Sequence, residues 1–451
     1  MGGDLIVRNG AIVNPWGVVN ADVLIENGRI SAIGRGLRAD AEEIDASGMY
    51  VLPGFVDEHV HFREPGLEYK EDFLTGSMSS VCGGVTTVCD MPNTNPSTDT
   101  PERLREKYAR IRGRSYADYG LYALLTDHSK VHVEEMLSCG AIGLKAFLAP
   151  STGEISSPSD GTLVEALELS SKLGFTVALH CEDGELVDHF MSKLLSQRPL
   201  RPSDYSLARP IICETTSIMK VSHLAIKTGG RALILHVTSG ESLTIIKSCK
   251  RSNRNVFAET CPHYLYLSER DYDRLGTMIK VNPPIRSERD RRALWRGLIQ
   301  GIIDTIGSDH APHTLEEKTR DVLEAPPGIV GAETIGPLML DAAMRGIVSI
   351  EKVAEVLSTN PAKALSIFPK KGAVSVGSDG DLVVFDPHAE FVVNAKKLHS
   401  KQKFTPYDMM KLMGRIRYTI LRGNVVVKDG EPLGPPTGER LTLNQPGANQ
   451  V

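Results

Sequence analysis

The sequence has no Cys-x-x-Cys pair. Its seven cysteines, at 82, 89, 139, 181, 213, 249 and 261, are scattered and odd in number. That excludes a disulfide framework or a thiolate zinc ribbon and fits free thiols in a reducing compartment. No apolar run approaches the ~20 residues of a membrane span. The N-terminus has no basic region followed by a long apolar core, so no secretory signal is legible. Met1-Gly2 is followed by Ile6 where a myristoylation signal needs Ser or Thr. Positive charge is not in excess: the net charge is −5, and Lys250-Arg251-Ser252-Asn253-Arg254 reads as a solvated helix end. There is no solenoid repeat and no low-complexity segment apart from a polar tail after Pro435, which is expected to be mobile. What remains is a soluble cytoplasmic protein with neither a membrane nor a nucleic-acid partner.

The chain of 451 residues, 41% apolar and 24% charged, has room for one domain of TIM-barrel size and a smaller one. Residues 4–52 read as short strands, with hairpin signals at Asn9-Gly10 and Asn27-Gly28. Residues 372–451 have the same texture, with a strand at 381–386 and a hairpin over 418–427. The middle alternates strand-like and helix-like segments. Strands are expected at 51–56, 86–91, 119–124, 141–147, 175–179, 232–235, 256–259 and 303–306, with helices such as 159–173 and 217–228 between them. Eight βα repeats predict an α/β fold: a (β/α)8 TIM barrel, with a small β-sandwich domain formed from both chain ends. The expected division is 1–52 for the N-terminal part of that small domain, 53–368 for the barrel, and 369–451 for its C-terminal part and tail.

Catalytic groups in such a barrel sit at the C-terminal ends of the strands. The first strand leads into Asp57-Glu58-His59-Val60-His61-Phe62-Arg63. Side chains two apart on a strand point the same way, so His59 and His61 can face one metal with Arg63 just beyond. The fourth strand carries Lys145, the fifth ends in His180, the sixth in His236 and the eighth in Asp309. Each has an ordinary reading alone: an interior hydrogen-bonded histidine, a helix N-cap at Asp309, a snorkelling lysine. Six of them at one barrel mouth point instead to metal. Four imidazoles and a carboxylate suit Zn²⁺. One ion is expected at His59, His61 and Asp309, the other at His180 and His236. A bridging anion is then needed, and a buried lysine of lowered pKa can take up CO₂ to become a carbamate. The expected cofactor is therefore two Zn²⁺ per subunit, bridged by N6-carboxylated Lys145 and by hydroxide.

These motifs resemble a family. The His59–Gly66 stretch, Asp90-Met91-Pro92-Asn93-Thr94-Asn95-Pro96, Gly143–Phe147, His236-Val237-Thr238-Ser239, Lys280-Val281-Asn282-Pro283-Pro284, Ser308–His313 and Pro327–Thr334 are together similar to cyclic amidohydrolases, and within them to dihydroorotases. The resemblance runs from about residue 4 to about residue 435. It implies reversible hydrolysis of dihydroorotate to N-carbamoyl-L-aspartate in pyrimidine biosynthesis, with Asp309 as the proton carrier. It also implies Arg63, Asn93 and His313 on the substrate carboxylate, and Asn282, Pro327 and Gly328 on the ring amides. Glu259-Thr260-Cys261-Pro262-His263 is shared as much with allantoinases, and Cys261 and His263 are expected to pack at the barrel rim rather than bind an extra metal. The stretch Ala149–Ser157 is polar and contains Gly153, as a closing loop would. The alternatives are an allantoinase or a hydantoinase of dihydropyrimidinase type, or a non-catalytic relative that binds or assembles. The expected partner is the small-molecule substrate. Homo-oligomerisation and association with a transcarbamoylase are the protein contacts the resemblance allows.

Overall fold

Strand signals from the two chain ends meet in one sheet, and those of the middle close into another. A computed structural model of the chain describes residues 4–150 and 155–442. The N-terminal end supplies β1 (Leu5–Asn14), β2 (Gly17–Glu26), β3 (Arg29–Gly34), β4 (Glu42–Asp45) and β5 (Tyr50–Pro53). The middle supplies β6 (Phe55–Val60), β7 (Val85–Asp90), β8 (Asp118–Leu124), β9 (Gly143–Phe147), β10 (Thr176–His180), β11 (Ala232–Ile234), β12 (Val256–Thr260) and β13 (Thr305–Ile306). The C-terminal end adds β14 (Leu382–Val392), β15 (Lys411–Leu421), β16 (Asn424–Lys428) and β17 (Glu431–Pro432). Strands β1–β5 and β14–β17 form a nine-stranded sheet. In it β5 lies parallel to β1 and antiparallel to β14, which joins the two ends of the chain. Its own apolar core includes Val23, Ile25, Val51, Leu382 and Ile420.

Strands β6 to β13 run parallel, each beside the next in chain order. The seam is closed just past the strands, where the His61 N–H donates to His310 O at 2.8 Å and Val60 bridges His310. This is the (β/α)8 barrel that the eight repeats predict. Every residue of β7 to β10 is buried, the inward ones in the barrel and the outward ones under helices. Among the described residues no helix is long and apolar enough to cross a membrane.

Two strand-end histidines are placed by the same local device. Asp183 lies three residues after His180 and caps the helix Gly184–Leu195, its side chain accepting the Leu186 N–H. Ser239 lies three residues after His236 and caps Gly240–Ser252 through the Ser242 N–H. Each cap is worth about 1 kcal/mol and fixes the short loop that carries the histidine.

Several sequence expectations are corrected. The apolar run 51–56 is not one strand: it splits at Gly54 between β5 of the end sheet and β6 of the barrel. A Cβ on Gly54 would lie 2.2 Å from Thr86 Oγ1, so only glycine lets the chain cross between the sheets there. Asn9-Gly10 is not a hairpin. β1 continues through it with a register shift, Asn9 taking φ 61°, and the turn comes after Asn14. Asn27-Gly28 does turn the chain, between β2 and β3. The tail after Pro435 is not wholly free: Gly438 N–H donates to Ser115 O, and Tyr119 exchanges backbone hydrogen bonds with Glu439 and Leu441. The helix expected at 217–228 starts earlier, as Ile211–Thr228.

Candidate active site

One cleft opens at the C-terminal ends of the barrel strands, lined among others by His59, Lys145, His180, His236 and Asp309. His59, the fifth residue of β6, donates Nδ1–H to Glu259 Oε1 at 2.9 Å. His61 donates Nδ1–H to Asn93 Oδ1 at 2.7 Å. Both bonds fix the tautomer that leaves a lone pair on Nε2. Each Nε2 lies 3.3 Å from Asp309 Oδ1, so the three side chains make one potential cation site. Burial pushes His59 down to about 3, although the Asp309 carboxylate opposes the shift. Burial, helped by Arg63 and His59, also holds His61 well below the usual imidazole range. Neutral imidazoles are what a metal requires.

His180 and His236 form the other half. His180 Nε2–H donates to Glu182 Oε2 at 3.0 Å, and its Nδ1 lies 2.9 Å from His236 Nε2. Glu182 is clamped in turn by the Arg209 guanidinium, with contacts of 2.5 and 3.1 Å. Lys145 projects from β9 into the same cleft. Its Nζ is buried without a hydrogen-bond partner, 4.6 Å over the Phe147 ring. His236 Nδ1 is equally without a partner. Unpaired buried polar atoms are costly. Two imidazole nitrogens facing each other beside an orphaned amine fit ligands waiting for ions. Burial pushes the Lys145 amine down to about 8, against the pull of Asp309 and Glu259, so a neutral fraction exists at neutral pH.

The Ser308-Asp309 turn is tied to β6 by Asp57, whose Oδ1 accepts the N–H groups of Ser308 and His59 at 3.0 and 3.3 Å. Asp309 itself holds φ 44°, a conformation that aims its carboxylate into the cleft only because its neighbours fix it. Pro327 and Gly328 form another wall. A Cβ on Gly328, at φ 155°, would lie 2.0 Å from Ala311 O. The buried Lys318 ammonium pins this wall by donating to the carbonyls of Lys280, Pro326 and Gly328.

Comparison with known proteins agrees with this geometry. Residues 50–426 match the amidohydrolase family. The chain belongs to that family. This amidohydrolase is 34% identical to the L-hydantoinase of Paenarthrobacter aurescens over 95% of its own length and 96% of the relative's. It is 34% identical to an allantoinase of Deinococcus radiodurans (97% and 98% covered). It is 35% identical to a dihydroorotase of Methanosarcina acetivorans (97% and 95% covered). Among solved structures, the L-hydantoinase (dihydropyrimidinase) from Arthrobacter aurescens superposes with a TM-score of 0.94 at 33% identity, covering 98% of this chain and all of that one. The amidohydrolase is thus an enzyme that hydrolyses cyclic amides, in a family whose similar members carry three substrate names at nearly equal identity.

Of the residues expected at the site, His59, His61, Arg63, Asn93, Lys145, His180, His236, Asn282, Asp309, Pro327 and Gly328 all line the cleft. His313 does not. It is fully buried behind Arg63, its Nε2 3.0 Å from Arg63 Nη2 and its Nδ1 3.0 Å from Lys70 Nζ. Cys261 is buried with Sγ 3.7 Å from Glu259 Oε1, and His263 packs on the Tyr264 ring. Neither belongs to the His59–His61–Asp309 group. Of the stretch 149–157, residues 151–154 lie outside the described residues. Sequence reasoning missed Asp57, Glu182, Glu259, Lys70, Arg209 and Lys318. Glu259 was within reach, since it too is a charged residue near the end of an apolar strand. Glu182 stands two residues after His180, as Asp57 stands two before His59.

Proposed function

We propose that this amidohydrolase is a dihydroorotase, opening the ring of dihydroorotate to N-carbamoyl-L-aspartate and, in reverse, closing it for pyrimidine synthesis. One observation carries the choice of substrate. Arg63 lines the cleft at 2% exposure, yet among the described residues its guanidinium bonds only to Pro312 O (3.2 Å) and His313 Nε2 (3.0 Å), and no carboxylate there forms an ion pair with it. Burial pushes it down to about 10, so it remains a cation at neutral pH. The Asp309, Asp90 and Glu317 carboxylates oppose that shift from a distance, but none forms an ion pair with it, and a buried cation without a direct partner is costly. The ring carboxylate of dihydroorotate would supply that partner, and the planar fork suits it. Hydantoin and allantoin rings carry no carboxylate to offer. Asn93 lines the same cleft, and His313, itself held by Lys70, braces Arg63 from behind.

We further infer zinc as the ion and CO₂ as the modifier of Lys145. The donor set and the orphaned Nζ support both. His59, His61 and Asp309 would hold one ion and His180 and His236 the other, with carboxylated Lys145 between them. Bound there, the cations supply Lewis acidity for the ring carbonyl and acidify water. Arg63 holds the carboxylate end, which sets the reacting carbonyl over the metal-ligand side of the cleft. As water adds to the carbonyl carbon, Asp309 takes its proton and returns it to the ring nitrogen when the C–N bond breaks. Glu259, Asn93 and Glu182 keep three imidazoles in their working tautomers. The test is a side-by-side assay of dihydroorotate, allantoin, hydantoin and dihydrouracil. The proposal expects the highest kcat/KM on dihydroorotate, and a clear preference for an uncharged ring would overturn it.

A further inference from the structure

Asn282 lines the cleft, and its amide has a fixed partner. The Tyr205 hydroxyl donates to Asn282 Oδ1 at 2.7 Å. Tyr205 belongs to the 202–209 segment that leads into the helix Ile211–Thr228. Its ring is 4% exposed and packs with Leu200, Ala208 and Val322. The Lys280 ammonium sits 4.7 Å over that ring while donating to Val322 O and Ala325 O. The ring is therefore held on all sides. Arg209, clamped by Glu182, lies near enough to Tyr205 to act on its hydroxyl electrostatically. A hydroxyl has a single proton, and here it goes to Asn282 Oδ1. An amide that accepts there must turn its oxygen toward Tyr205 and its N–H₂ toward the cleft.

We propose that Tyr205 is a specificity-determining positioning residue. By fixing the Asn282 amide it makes that part of the cleft a donor, so the site takes a carbonyl or carboxylate oxygen of the substrate there and disfavours an N–H. The inference rests on the proposed function only in taking Asn282 to touch a cyclic amide, charged or not. The phenylalanine variant keeps the ring, its packing and the contact with Lys280, and removes the hydroxyl that orients Asn282.

The experiment is a double-mutant cycle with Tyr205→Phe and Asn282→Ala in the metal-loaded enzyme, on both dihydroorotate and dihydrouracil. Affinity is read by calorimetry wherever turnover is too slow. Tyr205→Phe is expected to raise KM about threefold to tenfold, the loss of one orienting hydrogen bond, with kcat, metal content and Tm unchanged. In the Asn282→Ala background the same substitution is expected to change nothing further. Multiplying effects, an unchanged KM, or loss of metal in Tyr205→Phe would each overturn the proposal; the last would mean that Tyr205 acts through Arg209 and His180. A preference of the unmodified enzyme for dihydrouracil would sink the dihydroorotate reading while leaving this coupling measurable on the neutral ring.

Discussion

Replacing Arg63 by alanine removes a cleft-lining guanidinium with which no carboxylate of the described residues forms an ion pair. The carboxylate of dihydroorotate would then be buried with no guanidinium to pair with it. Truncating one partner of a buried, hydrogen-bonded charge pair costs about 2–5 kcal/mol, which is about 30-fold to 4,000-fold in kcat/KM. Part of any loss is unspecific, because Arg63 also braces Pro312 O and His313. Dihydrouracil isolates that part, being the same ring without the carboxylate. The quantity to follow is the ratio of kcat/KM on dihydroorotate to that on dihydrouracil, measured from the loss of ring-amide absorbance. Arg63→Ala should lower this ratio by at least about thirtyfold. Arg63→Lys keeps the charge but loses the planar fork and should fall between. Equal losses on both rings in Arg63→Ala would mean that the guanidinium supports the fold of the cleft and does not read the substrate.

Other predictions follow from the same contacts. Asp309→Asn should abolish turnover while calorimetry still detects substrate binding; a variant that keeps most of its rate would remove Asp309 as the proton carrier. Arg209→Met leaves the buried Glu182 carboxylate without its clamp and should cost about 3–5 kcal/mol of stability, read by denaturant unfolding, whereas an unchanged midpoint would show the pair to be replaceable. The Glu333 carboxylate beside His399 holds that imidazole above its ordinary value. A raised value stabilises the fold at low pH, and the benefit fades as pH rises from about 6.5 through the value in the folded state. The melting-temperature gap between wild type and His399→Gln should therefore be wider near pH 6 than above pH 8, and a pH-independent gap would contradict the ion pair.

The barrel was legible because its strands are buried on both faces and read as short apolar runs between helical stretches. The candidate ligands stood out as polar residues at the ends of those runs, as with His180 after Thr176–Leu179. Where one run served two sheets, as across Gly54, nothing local marked the change; the requirement comes from Thr86 on the neighbouring strand. Asn9-Gly10 carried a turn signal that long-range pairing overrode. A Cβ on Gly10 would lie 2.4 Å from Val51 Cγ2, so that glycine serves packing between strands. The residues that orient the imidazoles were the hardest to foresee. His59 and Glu259 are 200 positions apart, and only the closed barrel brings them together. His313 was expected to face the substrate and instead stands behind Arg63, because its motif fixes proximity to the site and not which shell the side chain occupies.

The central claim is that Lys145 joins two metal half-sites as a carbamate. The most direct measurement is anomalous diffraction from crystals grown with Zn²⁺ and bicarbonate. The account predicts two ions, one against His59, His61 and Asp309 and one against His180 and His236, with density for a carboxylate on Lys145 Nζ touching both. A single ion, or two ions beside an unmodified Lys145, would contradict it.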